Sequence, residues 1–109
     1  MEITATRTLM KSPPELWELL DDELQLRDWS SRLCKGADRV EIVDSEKGRL
    51  LAWRCDGVRS ANVEVSLGEK GFGTQVAIWA EAEDGLRKGV LDEVLDELAE
   101  PQRRPFSAV

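Results

Sequence analysis

The sequence predicts an α+β domain in which five antiparallel strands carry one long C-terminal helix. Three observations predict it. An alternating, Thr-rich run opens the chain at Glu2–Met10, four more alternating runs lie between Arg39 and Glu81, and the segments between and after them carry helical periodicity. The chain has 109 residues, enough for one domain with one modest core. We read residues 1–101 as that domain and 102–109 as a tail.

In Glu2–Met10, Ile3, Ala5 and Leu9 fall on one face and Thr4, Thr6 and Thr8 on the other, with Arg7 the odd member of the apolar face. Ser12-Pro13-Pro14-Glu15 then reads as a helix start. Ser12 fits the N-cap, Pro13 the first helical position, and Glu15 closes a capping box three residues after the cap. This helix runs to about Leu20 and buries Leu16, Trp17 and Leu20. Asp21-Asp22 ends it as a charged turn rather than a catalytic carboxylate pair, and a second helix, about Glu23 to Leu33, carries Leu26 and Trp29. Gly36-Ala37-Asp38 is a loop. Strands follow at Arg39–Asp44, Arg49–Cys55, Val58–Leu67 and Thr74–Glu81. Asp56-Gly57 is a two-residue hairpin signal, and the Gly-rich stretch Gly68–Gly73 is a longer hairpin loop. Lying between strands, that stretch is no phosphate cradle, which would have to open a helix. The last helix spans Asp84 to Glu100, with Leu86, Val90, Leu91, Val94, Leu95 and Leu98 in one stripe and Pro101 as its stop. Arg103-Arg104 is too small for a nucleic-acid patch, and the tail either frays or folds Phe106 back onto the body.

Composition removes whole classes of function. Lys and Arg number 15 against 22 Asp and Glu, a net charge of −7, which argues against nucleic acid or an anionic membrane as partner. No apolar run is long enough to span a bilayer. Met1–Ala5 lacks the pattern of a secretory leader. Cys34 and Cys55 have no metal-ligand spacing and fit reduced thiols in the cytoplasm. The chain contains no His and no Tyr, so triads and most zinc sites lose a member, and neutral-pH acid–base chemistry loses its usual carrier. Nothing in the chain calls for a cofactor or metal.

A first strand running into Ser12-Pro13-Pro14-Glu15-Leu16-Trp17-Glu18-Leu19-Leu20-Asp21, then Trp29, then Gly73-Thr74-Gln75-Val76 opening a late strand, resembles the START-like superfamily (Bet v 1-like, polyketide cyclase/dehydrase). The resemblance implies a helix-grip fold: a curved antiparallel sheet, here in order 2-3-4-5-1, wrapped around the C-terminal helix, with an apolar cavity between them. Five strands make a smaller sheet than the family's, and four Trp and a Leu-rich helix must share it. The cavity is therefore expected to fall well below the ~300–1,000 Å³ of typical ligand sites.

A two-residue turn at Asp56-Gly57 pairs Cys55 with Val58 and Trp53 with Ser60. A loop over Gly68–Gly73 pairs Leu67 with Thr74 and Val65 with Val76. Together they predict one inner apolar face of Leu50, Ala52, Ala61, Val63, Val65, Leu67, Val76, Ile78 and Ala80. The candidate pocket lining is then Arg7, Trp17, Trp29, Leu50, Arg54, Val63, Val65, Val76, Ile78, Leu91 and Leu95. Arg7 and Arg54 are either cationic anchors for an acidic ligand group or strand-end side chains that pair with the many acids. Trp17 and Trp29 line the mouth or fill the core. The same register leaves Leu51, Trp53 and Trp79 on the opposite face among Ser60, Asn62, Glu64 and Gln75. That is an apolar patch for self-association, unless a bulge flips strand 49–55 or other segments cover it. The functional readings are a small non-catalytic module binding an apolar or amphipathic molecule, or a homodimerising protein–protein module with little cavity. A cyclase- or dehydratase-type enzyme ranks third.

Overall fold

The computed structural model describes residues 1–34 and 36–100. The elements follow the chain as β1 (Glu2–Leu9), α1 (Pro13–Leu20), α2 (Glu23–Leu33), β2 (Ala37–Glu46), β3 (Leu50–Gly57), β4 (Ala61–Lys70), β5 (Gly73–Glu81) and α3 (Lys88–Ala99). The strands form one antiparallel sheet in the order β1-β5-β4-β3-β2, which is the order expected. The two-helix excursion carries the chain across the sheet, β2 to β5 meander back, and β1 closes against β5 with Glu2 opposite Glu81 and Leu9 opposite Thr74. The helices cover one face, the grip of the helix-grip fold.

Local chemistry sets the helix starts. At α1 the Glu15 amide donates to Ser12 Oγ at 3.4 Å, and the Ser12 amide donates to Glu15 Oε1 at 3.2 Å. This is the capping box that the motif predicts, with proline behind the cap. The bonds from Ser12 hold the Glu15 carboxyl below its ordinary range. Asp22 does more than end α1. Its Oδ1 accepts from the Leu24 and Gln25 amides at 3.0 and 3.3 Å and so caps α2.

The last helix begins later than its periodicity suggests. Leu86 pairs in an isolated bridge with Cys34, the Arg87 amide donates to the Leu33 carbonyl at 3.2 Å, and Gly85 takes a φ of +80°. Residues 84–87 are therefore tied to the end of α2 instead of to helix. Leu86 is buried all the same, so it keeps the phase of the stripe without being helical. Strand β2 begins at Ala37, inside the expected loop. The tail 102–109 and the Pro101 stop lie outside the described residues.

Replacing Ser12 by Ala removes one half of the capping box. We expect a loss of about 0.5–2 kcal/mol, read as a lower urea midpoint with unchanged slope; an unchanged midpoint contradicts the cap.

Candidate functional site

The register of β3 decides what the grip holds. Cys55 pairs with Ala61 and Trp53 with Val63, so five residues, 56–60, and not two, separate the last β3–β4 pair, with Asp56 and Gly57 still paired to β2. A type I′ turn at Asp56-Gly57 needs positive φ at both residues, and neither has it. Gly57 is needed for another reason. A Cβ there would lie 1.6 Å from the Gly36 carbonyl oxygen, so its missing side chain admits the backbone that opens β2. The Asp56 carboxylate closes the loop, accepting from Ser60 Oγ at 2.7 Å and Arg54 Nε at 3.1 Å. Those two bonds, Ser60 first, hold its carboxyl below its ordinary value.

The shift from the expected pairing is an odd number of residues, and an odd shift exchanges the two faces of a strand. Leu51, Trp53 and Cys55 point inward and are buried. Leu51 and Trp53 are thus core residues rather than an outer interface. Leu50 and Arg54, expected to line a pocket, lie on the outer face instead. Leu50 is half-buried there and Arg54 is exposed. Ala52 moves outward with them. The β4–β5 register also differs: Lys70 pairs with Gly73 and Leu67 with Val76. The connection is the two residues Gly71-Phe72, with positive φ at Gly71 only, as a type II′ turn requires. This shift is even, so Val63, Val65, Val76 and Ile78 keep their inward face and are buried as expected.

These side chains fill the grip. Leu91 and Leu95 of α3 reach down to the sheet and are 1% exposed. Trp17 and Trp29 are buried. Trp53 donates its indole N–H to Ser30 Oγ of α2 at 2.9 Å, within the core. Trp29, Leu33, Trp53, Val63, Val65, Ile78 and α3 leave a void of about 10 Å³, too small for more than a single water. Arg7 stays on the inner side but reaches the edge of α3, where Nη1 meets Asp96 Oδ1 at 2.5 Å. It pairs there with an acid. Arg54 pairs with Asp56. A cation invisible to the sequence reading ties the helices together: Arg32 of α2 bonds Asp28, Glu93 and Glu97 at 3.0, 3.1 and 2.7 Å.

Cys34 and Cys55 are free thiols, and burial pushes both pKa values up, away from the thiolate that a nucleophile needs. Among the described residues no group of three or more Cys, Asp or Glu is placed to hold a metal ion. No helix among them is long and apolar enough to cross a membrane.

Among the described residues the larger open spaces lie outside the grip. A polar groove of about 620 Å³ lies between the β3–β4 loop and the segment after β5. It is lined by Arg54, Arg59, Asn62, Glu81, Glu83 and Asp84, among others, and Arg59 is already paired with Asp84. A second cleft, of about 340 Å³, lies between the α1–α2 elbow and β2–β3. Trp79 is the one member of the expected interface that stays on the outer sheet face, half-buried beside Thr4 and Glu64.

No family model matches the chain, and no curated protein does. Solved structures match its fold. Protein MLL2253 from Mesorhizobium loti is similar with a TM-score of 0.72 at 14% identity, over 91% of this chain and 94% of that one. The Aha1 dimer from Colwellia psychrerythraea is similar with a TM-score of 0.69 at 11% identity, over 91% and 93%. DynU16, a protein of the dynemicin biosynthetic locus, is similar with a TM-score of 0.59 at 16% identity, over 90% of this chain and 43% of that one. At these identities the likeness is one of fold.

If Trp53 fills the grip, Trp53→Ala should cost about 3–5 kcal/mol, the usual loss for a large aromatic deleted from a core. Urea unfolding reads it; a loss below about 1 kcal/mol means that Trp53 is not core.

Proposed function

We propose that this chain is a non-catalytic helix-grip module that works by binding proteins, and that one partner is a second copy of itself seated on the outer sheet face around Trp79. The filled grip carries the reading: with about 10 Å³ between sheet and α3, binding is left to surfaces. On the outer face Trp79 and Glu64 are opposite one another, and so are Glu64 and Ala52. In the next row Ala77 faces Ser66, and Ser66 faces Leu50. The corrected register thus replaces the expected trio with Leu50, Ala52, Ala77 and Trp79, all half-buried by their neighbours alone. A two-fold dimer lets such a patch meet its own copy. The net charge of −7 opposes this weakly at physiological salt, where screening acts over about 8 Å. The Aha1 neighbour of this fold is itself a dimer. Two free, buried thiols fit a cytoplasmic setting.

A small apolar ligand between sheet and α3 is the second reading, favoured by the likeness to a protein of a biosynthetic locus. Here it has to displace Trp29 or Trp53, which a co-purified ligand seen by native mass spectrometry would reveal.

Trp79→Glu removes the largest apolar side chain of the patch and adds a second carboxylate beside Glu64. Light scattering should give a dimer mass for the wild type and a monomer mass for the variant, with unchanged circular dichroism. A wild type that stays monomeric at high concentration, or a variant that stays dimeric, overturns the self-association.

A further inference from the structure

Strand β2 is a free edge of the sheet. It pairs with β3 on one side only, so half of its backbone N–H and C=O groups have no strand to bond. It carries apolar side chains into water all the same: Ile42 is 47% and Val43 58% exposed. Register explains what lies beside them. Val40 and Ile42 face inward opposite Cys55 and Trp53. Together with Leu51 they make one wall of the 340 Å³ cleft, whose other wall is Leu20 and Leu26 of the α1–α2 elbow. This volume suits one or two apolar side chains.

Charge selects the occupant. The cleft is rimmed by Asp21, Asp22 and Glu23, and no Lys or Arg lines it. Asp22 is engaged as the α2 cap and Glu23 with Arg27, whereas Asp21 has no ion pair among the described residues. On the outer side of the same edge, Glu41, Asp44 and Glu46 lie opposite Arg54, Ala52 and Leu50; Glu46 is engaged with Arg49, and Arg39 is the one cation of β2 itself. A strand added to β2 therefore meets an apolar cleft on one face and, on the other, a net-acidic edge on which Glu41 and Asp44 have no ion pair among the described residues. A second copy of β2 would bring the same excess of acid, four carboxylates to one arginine, to the edge. The register break between Ile42 and Asp44 and the charges also guard the edge against indiscriminate pairing.

We propose that β2 and the elbow cleft dock an extended basic segment of a partner protein. That segment adds to the sheet as a sixth strand, its apolar side chains entering the cleft and alternating with Lys or Arg that face Glu41, Asp44 and Glu46. Main-chain bonds hold the segment, and the alternation of side chains gives specificity.

The test uses the full chain and two capped heptapeptides of equal composition, Lys-Leu-Lys-Ile-Lys-Leu-Lys and the block order Lys-Lys-Lys-Lys-Leu-Ile-Leu. In ¹⁵N NMR titrations the alternating peptide should shift the amides of residues 40–46 and 20–26 and bind at least ten-fold more tightly than the block peptide. Ile42→Ser and Asp21→Lys, both at exposed positions, should keep the wild-type circular dichroism and weaken the alternating peptide about ten-fold and several-fold respectively. Equal affinity for the two peptides overturns the proposal as plain charge attraction. So do variants that bind like wild type, shifts confined to other surfaces, or β2 shifts that follow protein concentration without peptide, which would put a second copy on the edge.

Discussion

The indole of Trp53 inside the grip, bonded to Ser30 at 2.9 Å, is the constraint on which the rest of the molecule turns. It exists because five residues, not two, separate the last β3–β4 pair, Cys55 and Ala61. That loop length sets the face of every residue in β3 at once, since pairing slips in steps that exchange sheet faces. Trp53 inward means Leu51 and Cys55 inward, Leu50 and Arg54 outward, and the space under α3 occupied.

Once the interior is full, the charged residues position the helices instead of serving a ligand. Arg7 with Asp96 and Arg32 with Asp28, Glu93 and Glu97 hold α3 against β1 and α2. Arg7 and Asp96 are 36% and 68% exposed, and pairs so wet are worth about 0–1 kcal/mol. Their effect is on alignment more than on stability, which rests on the Leu and Val side chains of α3 and the inner sheet face. Arg32 holds three acids with one guanidinium, and its Nε is left buried without a partner among the described residues. Glu97's bond raises its pKa further and keeps it charged. Among the described residues the larger open spaces are the polar groove beside the β3–β4 loop and the cleft at the α1–α2 elbow.

Local signals were legible in the sequence, and long-range ones were legible only where two local signals agreed. The Ser12–Glu15 box and the stretch Glu23–Leu33 could be read because their partners lie within four residues. The sheet order followed from the element pattern and the family resemblance. Gly57 misled because a glycine marks either a turn or a close approach of backbone. Here it is the approach of Gly36, a residue 21 positions away, that requires it. The Gly68–Gly73 stretch suggests a longer loop because three glycines fall within it, yet only Gly71 takes the positive φ of the turn, while Gly68 and Gly73 are paired strand residues. The start of α3 failed for a similar reason: Leu86 has the period of the helix but belongs to a bridge with Cys34. The Arg32 network and the elbow cleft left no trace in periodicity, since each joins elements whose relative placement is set by the whole sheet.

Cross-strand contacts in a nuclear Overhauser spectrum test the register of β3 most directly. The account predicts strong cross-peaks between the backbone protons of Trp53 and Val63, together with a Trp53 indole proton that contacts Ser30 and exchanges with solvent more slowly than that of Trp79. Cross-peaks between Trp53 and Ser60, with a rapidly exchanging Trp53 indole proton, would contradict it and return Trp53 to the outer face.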